Sequence, residues 1–399
     1  MKCLRSAVLG GACGLFLAHP APLSAAGDTL TLAAVLRDET ALTGAHDIEI
    51  RDGLAYIAGK GFTARALPRG GIYPYAKGRG GSLAIVDVKQ PAAPKLLWHA
   101  PDPLAYEDAE TVLPLGGHRL LVGTRDVFLF DVRAGANPRQ LAAIKDRPRV
   151  ATVNGFARLG HTVFAANKEG YIFAVDISTP DAISLRGSRE TEVSGELGMP
   201  HDVALSGDLL VAVSPEGFGA KGQPGRLGVY RVADPRTHQA LPADQWTLVG
   251  RLEHPRLAGA NRVRTHGPFA YVASSLAGGQ GSRPDGLYAN ISVIDLTDPT
   301  APKMSGSLAF VDPREGPNGL EAVGNVVFAA GGQAVQAIDM SDADAPRELA
   351  RFTSAEAFPG GKDDAHDLVY HDGHLFVTAQ NSHSLVILKA SDALRHRIK

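Results

Sequence analysis

The stretch Ile291–Pro302 reads "ISVIDLTDPTAP". Apolar and small side chains alternate up to an Asp, and the chain then enters a segment of Thr, Asp and Pro. A period of two ending at such residues predicts a β-strand followed by a turn. Pro presets φ in that turn and Asp caps local amides. The same unit stands at 82–88 ("SLAIVDV"), 126–132 ("DVFLFDV"), 171–177 ("YIFAVDI"), 226–232 ("RLGVYRV"), 334–340 ("AVQAIDM") and 384–390 ("SLVILKA"). With 290–296 that makes seven copies, and two of them replace the Asp, by Arg231 and Lys389. At Asp87, Asp131, Asp176, Asp295 and Asp339 the carboxylate is expected to accept hydrogen bonds from turn amides.

Two further short β-like runs precede each unit, as in "HDIEIRD" and "LAYIA" of the first repeat, and one follows the turn, as in "PKLLWHA". Four strands per repeat of about 45 residues, repeated around a ring, predict a β-propeller. The chain is therefore read as an all-β, seven-bladed β-propeller of four-stranded antiparallel blades. The last repeat lacks a good fourth strand in "SDALRHRIK". "TLAAVLRD" (31–38) matches "QLAAIKD" (140–146), the fourth strand of the second repeat. The N-terminal strand is thus expected to complete the last blade and close the ring, which removes open sheet edges between first and last repeats.

These repeats resemble the LVIVD-repeat family of secreted and surface bacterial propellers. The resemblance rests on "LAIVDVKQPAAP", "ISVIDLTDPTAP" and "VQAIDMSDADAP", each preceded by a strand like "AYIA" or "AYVA". It implies the fold over nearly the whole chain after residue 26 and implies no particular activity.

Composition fits this reading. Of 399 residues 44% are hydrophobic, enough for a large core, and the 45 Gly and 26 Pro suit many tight turns. A formal net charge of −2 argues against nucleic acid as a whole-surface partner. Residues 1–26 combine a basic start (Lys2, Arg5), an apolar run (7–18) and small residues at Ser24 and Ala26, the pattern of a secretory signal. The domain reading is signal peptide 1–26 and propeller 27–399, exported to the periplasm or beyond, with no membrane span. Both cysteines, Cys3 and Cys13, fall in the signal, so the remainder offers neither disulfide nor thiolate ligand.

Strand order alone places a site. With strands A to D counted from axis to rim, strand A starts on the face that also carries the B–C loops. Three of those loops are long: 59–81, 214–225 and 274–289. Aligning the starts of strand A gives one polar residue per blade: His46, Glu110, Asn154, His201, Asn261, Asn318 and His366, with Asp108 as a rival to Glu110. One reading is a wet channel mouth. The other is a transition metal (Mn, Fe, Zn or Cu) held by His46, His201 and His366 with Glu110, a donor set that suits those ions. The loop "GKGFTARALPRGGIYPYAKGRGG" carries Lys60, Arg65, Arg69, Lys77 and Arg79, with Phe62, Tyr73 and Tyr75, and no acid. Such a loop could lie over the mouth and grip an anion, since guanidinium forks match carboxylate and phosphate. Arg65, Arg69, Tyr73, Tyr75 and Lys77, with Asn154, Asn261 and Asn318, are the expected ligand-binding residues. Asp47, Asp202 and Asp367, next to the histidines, are expected to cap backbone amides between blades. The function expected is binding of a protein partner or anionic small molecule at the loop-rich face. The alternative is a metal-dependent oxidoreductase or lyase.

Overall fold

The computed structural model of the chain describes residues 27–60, 81–101, 105–106, 108–133, 135, 137–215, 224–275, 289–311, 316–361 and 364–398. Its strands form seven four-stranded antiparallel sheets. Strand β1 (Leu30–Arg37) comes first in the chain and belongs to none of the first six blades. Blade 1 is β2 (Ala45–Arg51), β3 (Leu54–Gly59), β4 (Ser82–Asp87) and β5 (Lys95–His99). Blade 2 is β6 (Thr111–Gly116), β7 (Arg119–Gly123), β8 (Val127–Asp131) and β9 (Arg139–Ile144). Blade 3 is β10 (Val153–Leu159), β11 (Thr162–Asn167), β12 (Tyr171–Asp176) and β13 (Ser184–Glu190). Blade 4 is β14 (Asp202–Ser206), β15 (Leu209–Ser214), β16 (Gly225–Arg231) and β17 (Thr247–His254). Blade 5 is β18 (Ala260–His266), β19 (Phe269–Ser274), β20 (Asn290–Asp295) and β21 (Lys303–Ala309). Blade 6 is β22 (Gly319–Val323), β23 (Val326–Gly331), β24 (Ala334–Asp339) and β25 (Arg347–Thr353). Blade 7 is β26 (Ala365–His371), β27 (His374–Ala379) and β28 (Ser384–Ala390), and β1 joins it as the outer strand. The expected closure is therefore formed, with Leu30 opposite Ala390 and Arg37 opposite Ser384. The poor fourth strand after β28 is the short helix α1 (Asp392–Ile398), whose Leu394 is buried and whose Arg397 Nε donates to Asp28 2.8 Å away.

The core lies between blades. Phe164, Leu210, Tyr230 and Trp246 pack together between blades 3 and 4, and Leu83, Leu120 and Phe130 between blades 1 and 2. Burying each such side chain stabilises the fold by about 1.5–3 kcal/mol, and one blade alone would leave both of its faces wet. Outer strands are free edges. Each pairing of a third strand with its outer strand carries a register shift. Such irregularities blunt an edge against strand addition. The turn aspartates act as the sequence predicts. Oδ1 of Asp87, Asp131, Asp176, Asp295 and Asp339 accepts from the amide two residues on, at 2.8–3.0 Å. Blade 4, which has Arg231 at that position, uses Asp234 instead, 2.7 Å from the Arg236 amide.

Candidate functional site at the axial mouth

Side chains of a regular strand alternate, so an inner strand should aim only every second residue at the axis. Each blade evades this at its first turn of strand. In blade 1 Ala45 faces Gly59 and Asp47 faces Ala58, leaving His46 as an extra residue. Asn154 and Asn261 are extra in the same way in blades 3 and 5. In blade 7 both His366 and Asp367 lie between the pairs Ala365–Ala379 and Leu368–Val377. In blades 2, 4 and 6 the amides of Glu110, His201 and Asn318 bond the carbonyls of Gly123, Val213 and Ala330, which already face Thr111, Asp202 and Gly319. Two residues against one is a β-bulge, a device that re-aims a side chain. All seven aligned residues thus belong to one ring. Asp108 lies outside it, bound to Arg125 Nε at 2.9 Å.

The ring is tied blade to blade. His46 Nδ1 lies 3.0 Å from the Glu110 carbonyl, His201 Nδ1 2.9 Å from that of Asn261, and His366 Nδ1 3.0 Å from that of His46. Each histidine reaches the equivalent residue of the next blade. A carbonyl only accepts, so each Nδ1 carries the hydrogen and each Nε2 keeps its lone pair. Burial, then the His366 ring and nearby cations, hold His46 well below the ordinary histidine value. Burial, then Lys168 and Arg262, do the same for His201, and burial with Arg262 brings His366 down to about 3. The rings of His46 and His366 stand 4.0 Å apart. Asn261 Nδ2 donates to Asn318 Oδ1 at 3.0 Å and to Ser275 Oγ at 3.2 Å. Asn154 is fully buried, and neither its amide nitrogen nor its amide oxygen has a hydrogen-bond partner among the described residues.

Glu110 holds the charge of the mouth. Lys60 Nζ is 2.8 Å from its Oε1, and Lys168 Nζ is 2.7 Å from its Oε2. These lysines follow the second strands of blades 1 and 3, on either side of Glu110 in blade 2. The three groups sum to one positive charge when both lysines are protonated. Burial alone would raise Glu110, but the two ammonium groups outweigh it and bring it down to about 2. Burial lowers Lys168, Lys60 lowers it further, and Glu110 only partly offsets both, leaving it at about 7.

A plug lies beneath the mouth. At the next position the blades offer Asp47, Thr111, Gly155, Asp202, Arg262, Gly319 and Asp367. Arg262, only 2% exposed, reaches from blade 5 across the axis. Its guanidinium meets the Asn154 carbonyl at 3.1 Å, Asp367 Oδ2 at 3.1 Å and Asp47 Oδ1 at 3.5 Å. Burial, then the facing Asp367, raise Asp47. Burial works to raise Asp367, but Arg262, the Asp47 hydrogen bond and Arg264 together outweigh it and hold the carboxyl below its ordinary value. Two of the three aspartates cap interblade amides as anticipated: Asp47 accepts from Val112 N at 2.8 Å and Asp202 from Val263 N at 2.9 Å. Asp367 instead accepts from its neighbour Leu368 and from Arg262.

The four expected metal ligands are all at the mouth, but they do not form a metal cluster. Among the described residues no three His, Cys, Asp or Glu side chains are grouped so as to hold an ion. His46 and His366 come from adjacent blades and His201 from across the ring, while Glu110 spends its carboxylate on two lysines. Arg65, Arg69, Tyr73, Tyr75 and Lys77 lie outside the described residues, as do most of the three long loops. Sequence reading missed Lys168 and Arg262. The signal for Lys168 is the parallel of "AGK" (58–60) with "ANK" (166–168), which puts a lysine at the same place in two blades. His383, between β27 and β28, accepts the Gly44 amide at 3.1 Å and fixes the chain there.

No protein-family model matches the chain, and no curated protein matches it. Among solved structures it is similar to the Cps50 (Swd1) β-propeller domain of Myceliophteria thermophila. The TM-score is 0.57 at 14% identity, over 90% of this chain and 99% of that one. It is also similar to a chain in a structure of the mitotic checkpoint complex, with TM-score 0.58 and 10% identity over 97% and 100% of the two chains. At that identity the likeness is one of fold, and it is to propellers that this chain is similar.

Proposed function

We propose that the chain is a binding protein whose axial mouth, on the loop-bearing face, takes a small anionic molecule. The observation that carries this is the wall of the mouth. A fully buried Asn154 amide stands without a partner among the described residues, in the same ring of inner-strand residues as Glu110, whose carboxylate two lysines share. Leaving such a donor and acceptor unmet costs about 1–3 kcal/mol each, which a polar ligand would restore. Arg262 closes the axis beneath the mouth, so a ligand there would enter and leave by the loop-bearing face. The basic loop of Arg65, Arg69 and Lys77 would add charge around it. Protein capture is a second reading, favoured by Val193 (76% exposed) and Met199 (39%) on the connection from blade 3 to blade 4, on the same face. The fold is one commonly used as an interaction scaffold. As part of this proposal the blades are LVIVD-type repeats and the chain is exported, on the strength of the quoted repeat motifs and of residues 1–26.

Calorimetric titration with malonate and with inorganic phosphate tests the reading. One site is expected, weakened at least about tenfold by Lys60→Met. Absence of heat with both anions would overturn the small-ligand reading and leave protein capture, measured through Val193→Asp, as the function.

A further inference from the structure

The mouth also contains the parts of a covalent carbonyl trap. Lys168 Nζ is buried, with 12% of its side chain exposed, and shares the Glu110 carboxylate with a second ammonium, Lys60. An amine desolvated beside another cation is the standard arrangement for an activated lysine nucleophile. The Asn154 side chain, unpartnered and on the same blade, offers a donor for an oxygen. Lys168 and Asn154 stand at the same end of adjacent strands of blade 3: Lys168 follows β11, whose Asn167 faces Val153, and its amide bonds Thr152 O at 3.3 Å. We propose that the mouth takes a small 2-oxo acid or aldehyde acid and that Lys168 captures its carbonyl carbon as an iminium. This rests on the anion-binding reading and names its ligand class.

The step balances without a redox partner. The Lys168 ammonium yields a proton, its lone pair attacks the carbonyl carbon, and the carbonyl oxygen becomes the hydroxyl of a carbinolamine. That oxygen leaves as water with two of the three original ammonium hydrogens. An iminium with one N–H and one positive charge remains. Since the charge is the same before and after, Glu110 stabilises product as it stabilises reactant. The ion pair seen here therefore does not oppose the reaction. Lys60, held by Glu110 Oε1, brings its positive charge to the ligand carboxylate, and Asn154 Nδ2 can donate to the carbinolamine oxygen. Burial and Lys60 bring Lys168 down to about 7, so far more of it is amine at neutral pH than the roughly one part in two thousand of an ordinary lysine.

The test is reductive trapping of the full chain with glyoxylate and cyanoborohydride at pH 7, read by peptide mass spectrometry. Labelling at Lys168 is expected to outpace that at the exposed Lys95 and Lys389 by on the order of a hundredfold. The rate at Lys168 should level off above pH 7, while theirs keeps rising. Lys168→Arg should abolish the fast label, and Asn154→Ala should slow it. Equal labelling of Lys168 and the exposed lysines overturns the proposal, and this comparison needs only the natural chain. Malonate binding without selective labelling overturns the trap alone. Loss of both overturns the anion site with it.

Discussion

Replacing Arg262 by Met removes the cation that, among the described residues, crosses the axis at the plug and leaves Asp47, Asp367 and the Asn154 carbonyl facing one another. The guanidinium makes three contacts at 3.1–3.5 Å in a site 2% exposed. Breaking a buried pair from one side costs about 3–5 kcal/mol. Unfolding entropy of roughly 2 cal/mol/K per residue makes this about 4–6 °C in melting temperature for a chain of this size. The loss should depend on pH. Without Arg262 both carboxylates resist ionisation, and their folded values move above the unfolded value of about 3.9. A carboxyl whose pKa is raised on folding destabilises once pH exceeds the unfolded value, and increasingly so up to the folded one. The deficit is therefore smallest near pH 4 and largest near pH 8. Denaturant unfolding of Arg262→Met and the natural chain at both pH values measures it. A deficit below about 1 kcal/mol, or one equal at both pH values, would show that Arg262 acts by filling space rather than by charge.

Gly155→Ala should cost about 2–4 kcal/mol, because its Cβ would lie 1.9 Å from Asp202 Oδ1 and push that carboxylate off Val263 N and Arg264. A melting temperature equal to that of the natural chain would refute the close approach. His46, His201 and His366 should all show the neutral Nδ1–H tautomer by ¹⁵N NMR with no titration between pH 5 and 8, since burial and cations lower all three. A midpoint inside that range would mean the belt of carbonyl bonds is open. Glu110, brought down to about 2, contributes roughly 3 kcal/mol above its unfolded value near 4.3, lost as pH falls towards 2. Glu110→Gln should therefore be less stable at pH 6 and approach the natural chain near pH 2. A constant gap in acid titrations would contradict this.

The architecture was legible because its signal recurs. Seven copies of one strand, five of them ending in an Asp, and a stray match between 31–38 and 140–146, are enough for blade number and closure. The ring of axial residues was legible for the same reason. How those residues point inward was not, because the bulge that aims His46 leaves no mark in the sequence beyond ordinary strand residues. Lys168 and Arg262 escaped notice for another reason. Arg262 is the exception within its aligned column, Lys168 shares its place with Lys60 alone of the described blades, and both gain meaning only from the carboxylates they meet in other blades. One such pairing is written in the chain after all. "NG" at 154–155 precedes the blade with "HD" at 201–202, and "NG" at 318–319 precedes the blade with "HD" at 366–367. An added Cβ at Gly319 would lie 2.6 Å from Asp367 Cα, as one at Gly155 would strike Asp202. A glycine in one blade makes room for the aspartate of the next.

The bulged position also bears on how such a molecule diversifies. Its side chain sits on the surplus residue of each inner strand, so exchanging His for Asn or Glu there leaves the sheet register and the packing between sheets untouched. Seven such sites around one axis form a keyboard on which specificity can be rewritten one key at a time, while the scaffold that holds the keys stays constant.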